Sequence, residues 1–97
     1  MFDFIENEQS LTIRFPQKMD TFSSQKLEEE LKQKHPVSGK KMVFDLEGIS
    51  FISSAFLRIC FKAYKDSGEG NFSLINATSD VKKVLMIAGY DKFMDIH

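Results

Sequence analysis

The stretch Phe44-Asp45-Leu46-Glu47-Gly48-Ile49-Ser50-Phe51-Ile52-Ser53-Ser54-Ala55-Phe56-Leu57-Arg58 decides the fold. It opens inside a compact apolar run, Met42 to Leu46, with β-branched and aromatic content, which reads as a buried central strand. Glu47-Gly48 turns the chain, and Ile49, Phe51 and Ile52 continue the apolar character. Ser53 and Ser54 then offer side chains suited to capping a helix. From Ala55 to Tyr64 the segment is apolar on most sides. Arg58, Lys62 and Lys65, at spacings of four and three, mark one solvent stripe. Ser67-Gly68-Glu69-Gly70 ends the helix.

Toward the N-terminus, Phe2, Phe4 and Glu6 bracket a β-like run, and Asn7-Glu8-Gln9-Ser10 reads as a turn. Leu11, Ile13 and Phe15 alternate with Thr12 and Arg14, the period-two pattern of a half-buried strand, until Pro16 stops it. The two runs form a hairpin. Asp20 and Thr21 can cap a first helix, with Phe22, Leu27 and Leu31 near one face. Glu28, Glu29 and Glu30 come early in it, and Lys32 and Lys34 late, which suits the helix dipole. That helix ends before Pro36, and Val37-Ser38-Gly39 is a loop.

Toward the C-terminus, Phe72, Leu74 and Ile75 make another strand. Thr78 or Ser79 caps a third helix, with Asp80 in its first turn and Val81, Val84, Leu85 and Ala88 on one face. Gly89 suits the position just past its end, and Phe93, Met94 and Ile96 form a last short apolar run. The order ββαβαβα, closed by a small β element, gives an α/β domain spanning residues 1–97. A mixed four- to five-stranded sheet is expected, with helices packed mainly on one face. Phe44, Leu46, Leu57, Phe61, Leu74, Val81 and Leu85 are the expected core between sheet and helices.

Composition removes several classes of function. Thirteen basic and fourteen acidic residues give a net charge of −1, which leaves no footprint for a nucleic-acid backbone. One cysteine builds no disulfide framework, so a reducing cytoplasm is expected. The longest apolar stretch falls far short of the roughly 18 residues of a membrane span, so no membrane insertion is expected. Met1 to Ser10 carries three acidic residues and no Lys or Arg, unlike a secretory signal.

The case for an enzyme is poor. His35 precedes Pro36 in a loop and His97 is the last residue, so neither has metal-ligand spacing to the other or to Cys60. Cys60 lies inside the apolar second helix, where it reads as a small core hydrophobe with no adjacent base. Gly68-Glu69-Gly70 precedes a strand rather than joining a strand to a helix, so it lacks the dinucleotide-binding context. No catalytic residue, metal or cofactor is expected. Chemically, the helix mouth at Ser53-Ser54 stands out. A hydroxyl there meets unsatisfied backbone N–H groups and the positive end of the dipole, which suits simple capping and also accommodates a phosphate.

This segment resembles the STAS domain of bacterial anti-sigma factor antagonists. The family signature is a strand ending Asp-Leu, a short turn, an aromatic, an aliphatic and Asp-Ser-Ser-Gly-Leu opening a helix. A variant reads Ile-Ser-Ser-Ala-Gly-Leu-Arg. Met19-Asp20-Thr21-Phe22 resembles the start of the family's first helix. Thr78 to Leu85 and Ala88 to Phe93 resemble its closing helix and last strand.

The resemblance implies the STAS fold and a non-enzymatic, protein-binding switch. Matched position by position, Ser53 stands where the motif has Asp, and Ser54 is the phosphoacceptor. It implies a GHKL-type serine kinase, which is also the anti-sigma factor, as the partner that adds the phosphate, and a metal-dependent serine phosphatase that removes it. Unphosphorylated antagonist binds the anti-sigma factor and frees a sigma factor. Asp20, Thr21, Ser53, Ser54, Ala55, Phe56 and Arg58 are the implied partner-binding residues. Phe56 departs from the motif's Gly, and either fills the core or reshapes the docking surface. Phe56 is the feature that favours another role, a non-phosphorylated, constitutive STAS adaptor or an accessory subunit of a signalling or membrane lipid transport complex.

Overall fold

A computed structural model describes residues 2–34 and 40–97. His35, the stop at Pro36 and the loop Val37-Ser38-Gly39 lie outside the described residues. The N-terminal hairpin joins β1 (Asp3–Glu6) to β2 (Ser10–Arg14). Its turn is held by Asn7 Oδ1, which accepts from the N–H groups of Gln9 and Ser10, both at 2.8 Å. From β2 onward the ladder is parallel: β2 pairs with β4 (Lys41–Asp45), β4 with β6 (Phe72–Ile75), and β6 with β7 (Asp95–Ile96). The spatial order is β1-β2-β4-β6-β7, a mixed sheet with β4 at its centre.

Register explains where the core sits. Leu11 is opposite Met42 and Phe72, and Ile13 is opposite Phe44 and Leu74. Opposed residues share a face, and all six are buried. Thr12, Val43 and Ser73 occupy the other face and are half-buried. The helices α1 (Thr21–Lys34), α2 (Ser54–Ser67) and α3 (Ser79–Ile87) all close over the apolar face. They contribute Leu27 from α1, Phe56, Ile59, Cys60 and Ala63 from α2, and Val81 and Leu85 from α3 to one cluster. Phe44 lies at its middle, edge-on to Phe15 and Phe72 at centroid distances of 5.1 and 4.9 Å. Such pairs add about 0.5–1.5 kcal/mol beyond the area they bury.

Two expected core residues, Phe61 and Leu57, and three residues expected on apolar helix faces, Val84, Ala88 and Phe22, are corrected by the structure. Phe61 is 40% exposed, because it stands three residues from Arg58 and four from Lys65 and so belongs to their solvent stripe. A 3-10 turn, η1 (Tyr90–Lys92), partly covers it: Tyr90 stacks on it at 6.3 Å and Phe93 meets it edge-on at 5.9 Å. Leu57 is only half-buried. On α3, Val81 and Leu85 reach the core, whereas Val84 and Ala88 are exposed. Phe22, five residues from Leu27 and thus about 140° round the helix, is exposed as well. The remaining named core residues, Phe44, Leu46, Leu74, Val81 and Leu85, are buried.

Candidate functional site

A second, two-stranded ladder builds the site. β3 (Lys18–Met19) runs parallel to β5 (Phe51–Ile52), with Met19 opposite Ile52. Ser50 N–H donates to Gln17 O at 2.8 Å, and Ser53 N–H donates to Met19 O at 2.9 Å. β3 leads into α1 and β5 leads into α2, so the ladder sets the two helix N-termini side by side.

Each mouth has its own cap. Asp20 Oδ1 accepts from Ser23 N–H at 2.8 Å, and Asp20 O accepts from Ser24 N–H at 2.9 Å. Donation from the Ser23 backbone, then from its hydroxyl, with Lys18 nearby, holds the Asp20 carboxyl below the usual carboxylate range. On α2, Ser53 is extended (φ −94°, ψ 167°) and its Oγ accepts from Phe56 N–H at 3.2 Å. The hydroxyls of Ser24 and Ser53 lie 3.3 Å apart and join the two caps.

The two adjacent serines therefore do different things. Ser53 is half-buried, and its hydroxyl is committed to the cap and to Ser24. Ser54, the first residue of α2, is exposed, and among the described residues its hydroxyl bonds to none. Asp20, Thr21 and Arg58 are exposed and Ala55 is half-buried at the same end of the molecule. Phe56 is the exception among the implied binding residues. It is fully buried, with centroids 5.3 Å from Phe15 and 6.1 Å from Phe44, so its ring fills the core and presents nothing to a partner. Phe56 shares one face of α2 with Ile59, Cys60 and Ala63, all buried.

A groove of about 330 Å³ runs between α1 and α2 from this mouth, with Thr21, Ser24, Ala55 and Arg58 at its upper end and Glu28 and Lys62 further along. Ser23 and Ser24, both buried, were passed over in the sequence reading of α1. Their spacing of four and three before Leu27 is the signal that places them on its inner face. Two large exposed rings, Phe22 at 62% and Phe51 at 50%, lie in the first turn of α1 and in β5.

Cys60 is fully buried, and burial pushes its thiol far up, away from the reactive thiolate. No group of three or more metal-ligating side chains occurs among the described residues. No helix there is long and apolar enough to cross a membrane.

A family model for the STAS domain matches residues 2–97. The chain belongs to the STAS domain family. Solved structures of like fold include a STAS domain anti-sigma factor antagonist protein from Planctomyces limnophilus. It is 20% identical, with a TM-score of 0.83 over 99% of this chain and 87% of that one. An anti-sigma factor antagonist from Mycobacterium paratuberculosis is 17% identical, with a TM-score of 0.86 over 100% and 84%. The unphosphorylated form of the anti-sigma factor antagonist SpoIIAA is 16% identical, with a TM-score of 0.83 over 100% and 88%. Among curated proteins, none matches the chain.

Proposed function

We propose that this STAS domain is a cytoplasmic partner switch of the anti-sigma factor antagonist kind. Unphosphorylated, it binds a GHKL-type serine kinase that is also an anti-sigma factor, and it acts by binding rather than by catalysis. The kinase transfers the γ-phosphoryl group of ATP to Ser54. The Ser54 Oγ–P bond forms, the bond from the γ-phosphorus to the bridging oxygen breaks, ADP leaves, and the hydroxyl proton passes to a base of the kinase or to solvent. A metal-dependent serine phosphatase reverses the modification by hydrolysis.

One observation carries this reading: of the two serines at the helix mouth, Ser53 is consumed by capping and Ser54 is exposed and uncommitted. A phosphate on Ser54 puts about −1.5 to −2 charges beside the N–H groups of α2, where the helix dipole tolerates them and a partner fitted to a neutral hydroxyl does not. The likeness to solved anti-sigma factor antagonists supports the partner class. The alternative, a non-phosphorylated constitutive adaptor, was favoured by Phe56, and the burial of that ring speaks against its shaping a docking surface. Mass spectrometry of the protein purified from its own host is the test. Phosphate on Ser54 is expected in part of the population, and an unmodified Ser54 under every growth condition overturns the reading.

A further inference from the structure

Resting on the reading of Ser54 as phosphoacceptor, we propose that Arg58 is the latch for its phosphate. In the free domain the guanidinium closes a one-turn ion pair with phosphorylated Ser54 along the face of α2. Ser54 and Arg58 are four residues apart on one helix, so their side chains stand one above the other. Long helical side chains lean back toward the N-terminus, which points Arg58 at the Ser54 end of α2. Arg58 lines the groove between α1 and α2 together with Ala55 and Thr21, residues of the two helix mouths.

Arg58 is also an uncommitted cation on the acceptor's own helix, whereas Lys18, on β3, lies near Asp20. Among the described residues it forms no hydrogen bond or ion pair. Arg14 is held by Asp45 at 3.2 Å, and Lys62 by Asp66 at 3.7 Å. Lys62 is also eight residues from Ser54, about 12 Å along the helix axis. The other charges at this end are Asp20, whose carboxylate is engaged by Ser23 with Lys18 nearby, and Glu28, two turns into α1. The planar guanidinium fork matches two phosphate oxygens at once, which an ammonium does not.

The latch changes what the modification does to the surface. Phosphorylation then adds an anion at the mouth and also withdraws Arg58 from any partner it would face. One covalent event alters two contacts.

The test is a phosphorus NMR titration of the full chain with phosphoserine installed at position 54 during translation. Wild type, Arg58→Gln and Lys62→Gln are compared, with circular dichroism verifying that each is folded. A free phosphoserine takes up its second proton near pH 6. The latch lowers that midpoint, and Arg58→Gln raises it by about 0.3 unit or more, at least twice the effect of Lys62→Gln. A smaller rise, or an equal rise in Lys62→Gln, overturns the proposal, because the phosphate is then held by backbone N–H groups or by diffuse charge. Translation supplies the phosphate, so the result does not depend on whether a host kinase modifies Ser54. Mass spectrometry of the host's protein reads that separately.

Discussion

The hydroxyls of Ser24 and Ser53 meet at 3.3 Å across two helices, the first fully buried and the second half-buried. This contact makes the two helix mouths one unit. Ser53 also caps α2, so it takes part in two bonds and Ser24 in one side-chain bond. Ser24→Ala is expected to cost about 0.5–1.5 kcal/mol. Ser53→Ala removes the cap and leaves a buried hydroxyl unpaired, at about 1–3 kcal/mol. Urea unfolding of both variants and of the double mutant checks this. A coupling below about 0.3 kcal/mol means the two hydroxyls do not stabilise one another.

The orientation of α3 gives a second prediction. Leu85 is fully buried, and its neighbour Val84 is 39% exposed. Leu85→Ala is expected to cost about 2–5 kcal/mol, as core truncations do, and Val84→Ala about 1 kcal/mol or less. Equal losses in urea unfolding show that α3 is rotated from the position described.

Phe56 separates packing from binding. Phe56→Ala removes a ring that touches Phe15 and Phe44, at about 3–5 kcal/mol. A chain of this size has about 5–15 kcal/mol in total, so the variant stays folded only in a stable background. Calorimetry on the folded protein is expected to show partner affinity unchanged, because the ring reaches no surface. A tenfold loss with the fold intact places Phe56 at the interface instead.

These contrasts show which features the sequence made legible. Period-two alternation at Leu11, Ile13 and Phe15 and the apolar run at Met42 to Leu46 mark strands without ambiguity, because one or both faces are buried. The caps were readable to within one residue, as the pairs Asp20-Thr21, Ser53-Ser54 and Thr78-Ser79, since short polar side chains before apolar periodicity have few other uses; the structure selects Asp20, Ser53 and Thr78. The β3–β5 ladder was not, because two residues are too few to alternate. Yet that ladder is what brings Ser24 to Ser53. Phe61 misled because a large ring is normally core, and its place on the stripe of Arg58 and Lys65 shows only once helical phase is counted. The segment from Phe44 to Arg58 held the motif, whereas the division of labour between Ser53 and Ser54 needed coordinates.

Asp45 is one source of acid sensitivity in the fold. Its Oδ1 accepts from Asn76 Nδ2 and Glu47 N–H, both at 3.0 Å, and its Oδ2 accepts from Arg14 Nε at 3.2 Å. Burial pushes the carboxyl up, but donation by Asn76, Glu47 and Arg14 outweighs it and leaves the group below the usual carboxylate range. A carboxyl depressed in the folded state adds stability above its unfolded midpoint of about 3.9, and loses it as pH falls through the lower folded value. Asp20, also depressed, acts in the same direction. Urea midpoints at pH 7 and pH 3 are expected to fall further for wild type than for Asp45→Asn, and equal falls dismiss Asp45 as a source of acid sensitivity.

The switch itself gives the last prediction. Ser54→Asp places one negative charge on the first residue of α2, where it is exposed and meets the positive end of the helix. A charge in that position is favourable by about 0.3–1 kcal/mol, so the melting temperature is expected to rise by no more than about 6 °C. At a docked surface the same charge is stripped of water against a partner fitted to a hydroxyl, and an unpaired interfacial charge costs about 2–5 kcal/mol. Since each ~1.4 kcal/mol is tenfold, calorimetry with the cognate kinase is expected to show at least a tenfold loss of affinity. Ser54→Ala removes only an exposed hydroxyl and is expected to bind as wild type does while accepting no phosphate. Asp is a partial mimic, with one charge where the phosphate has nearly two, so genuinely phosphorylated protein is expected to bind more weakly still. Equal affinities for wild type, Ser54→Asp and the phosphorylated chain mean that Ser54 lies outside the interface, and the switch then has to be sought elsewhere on the domain.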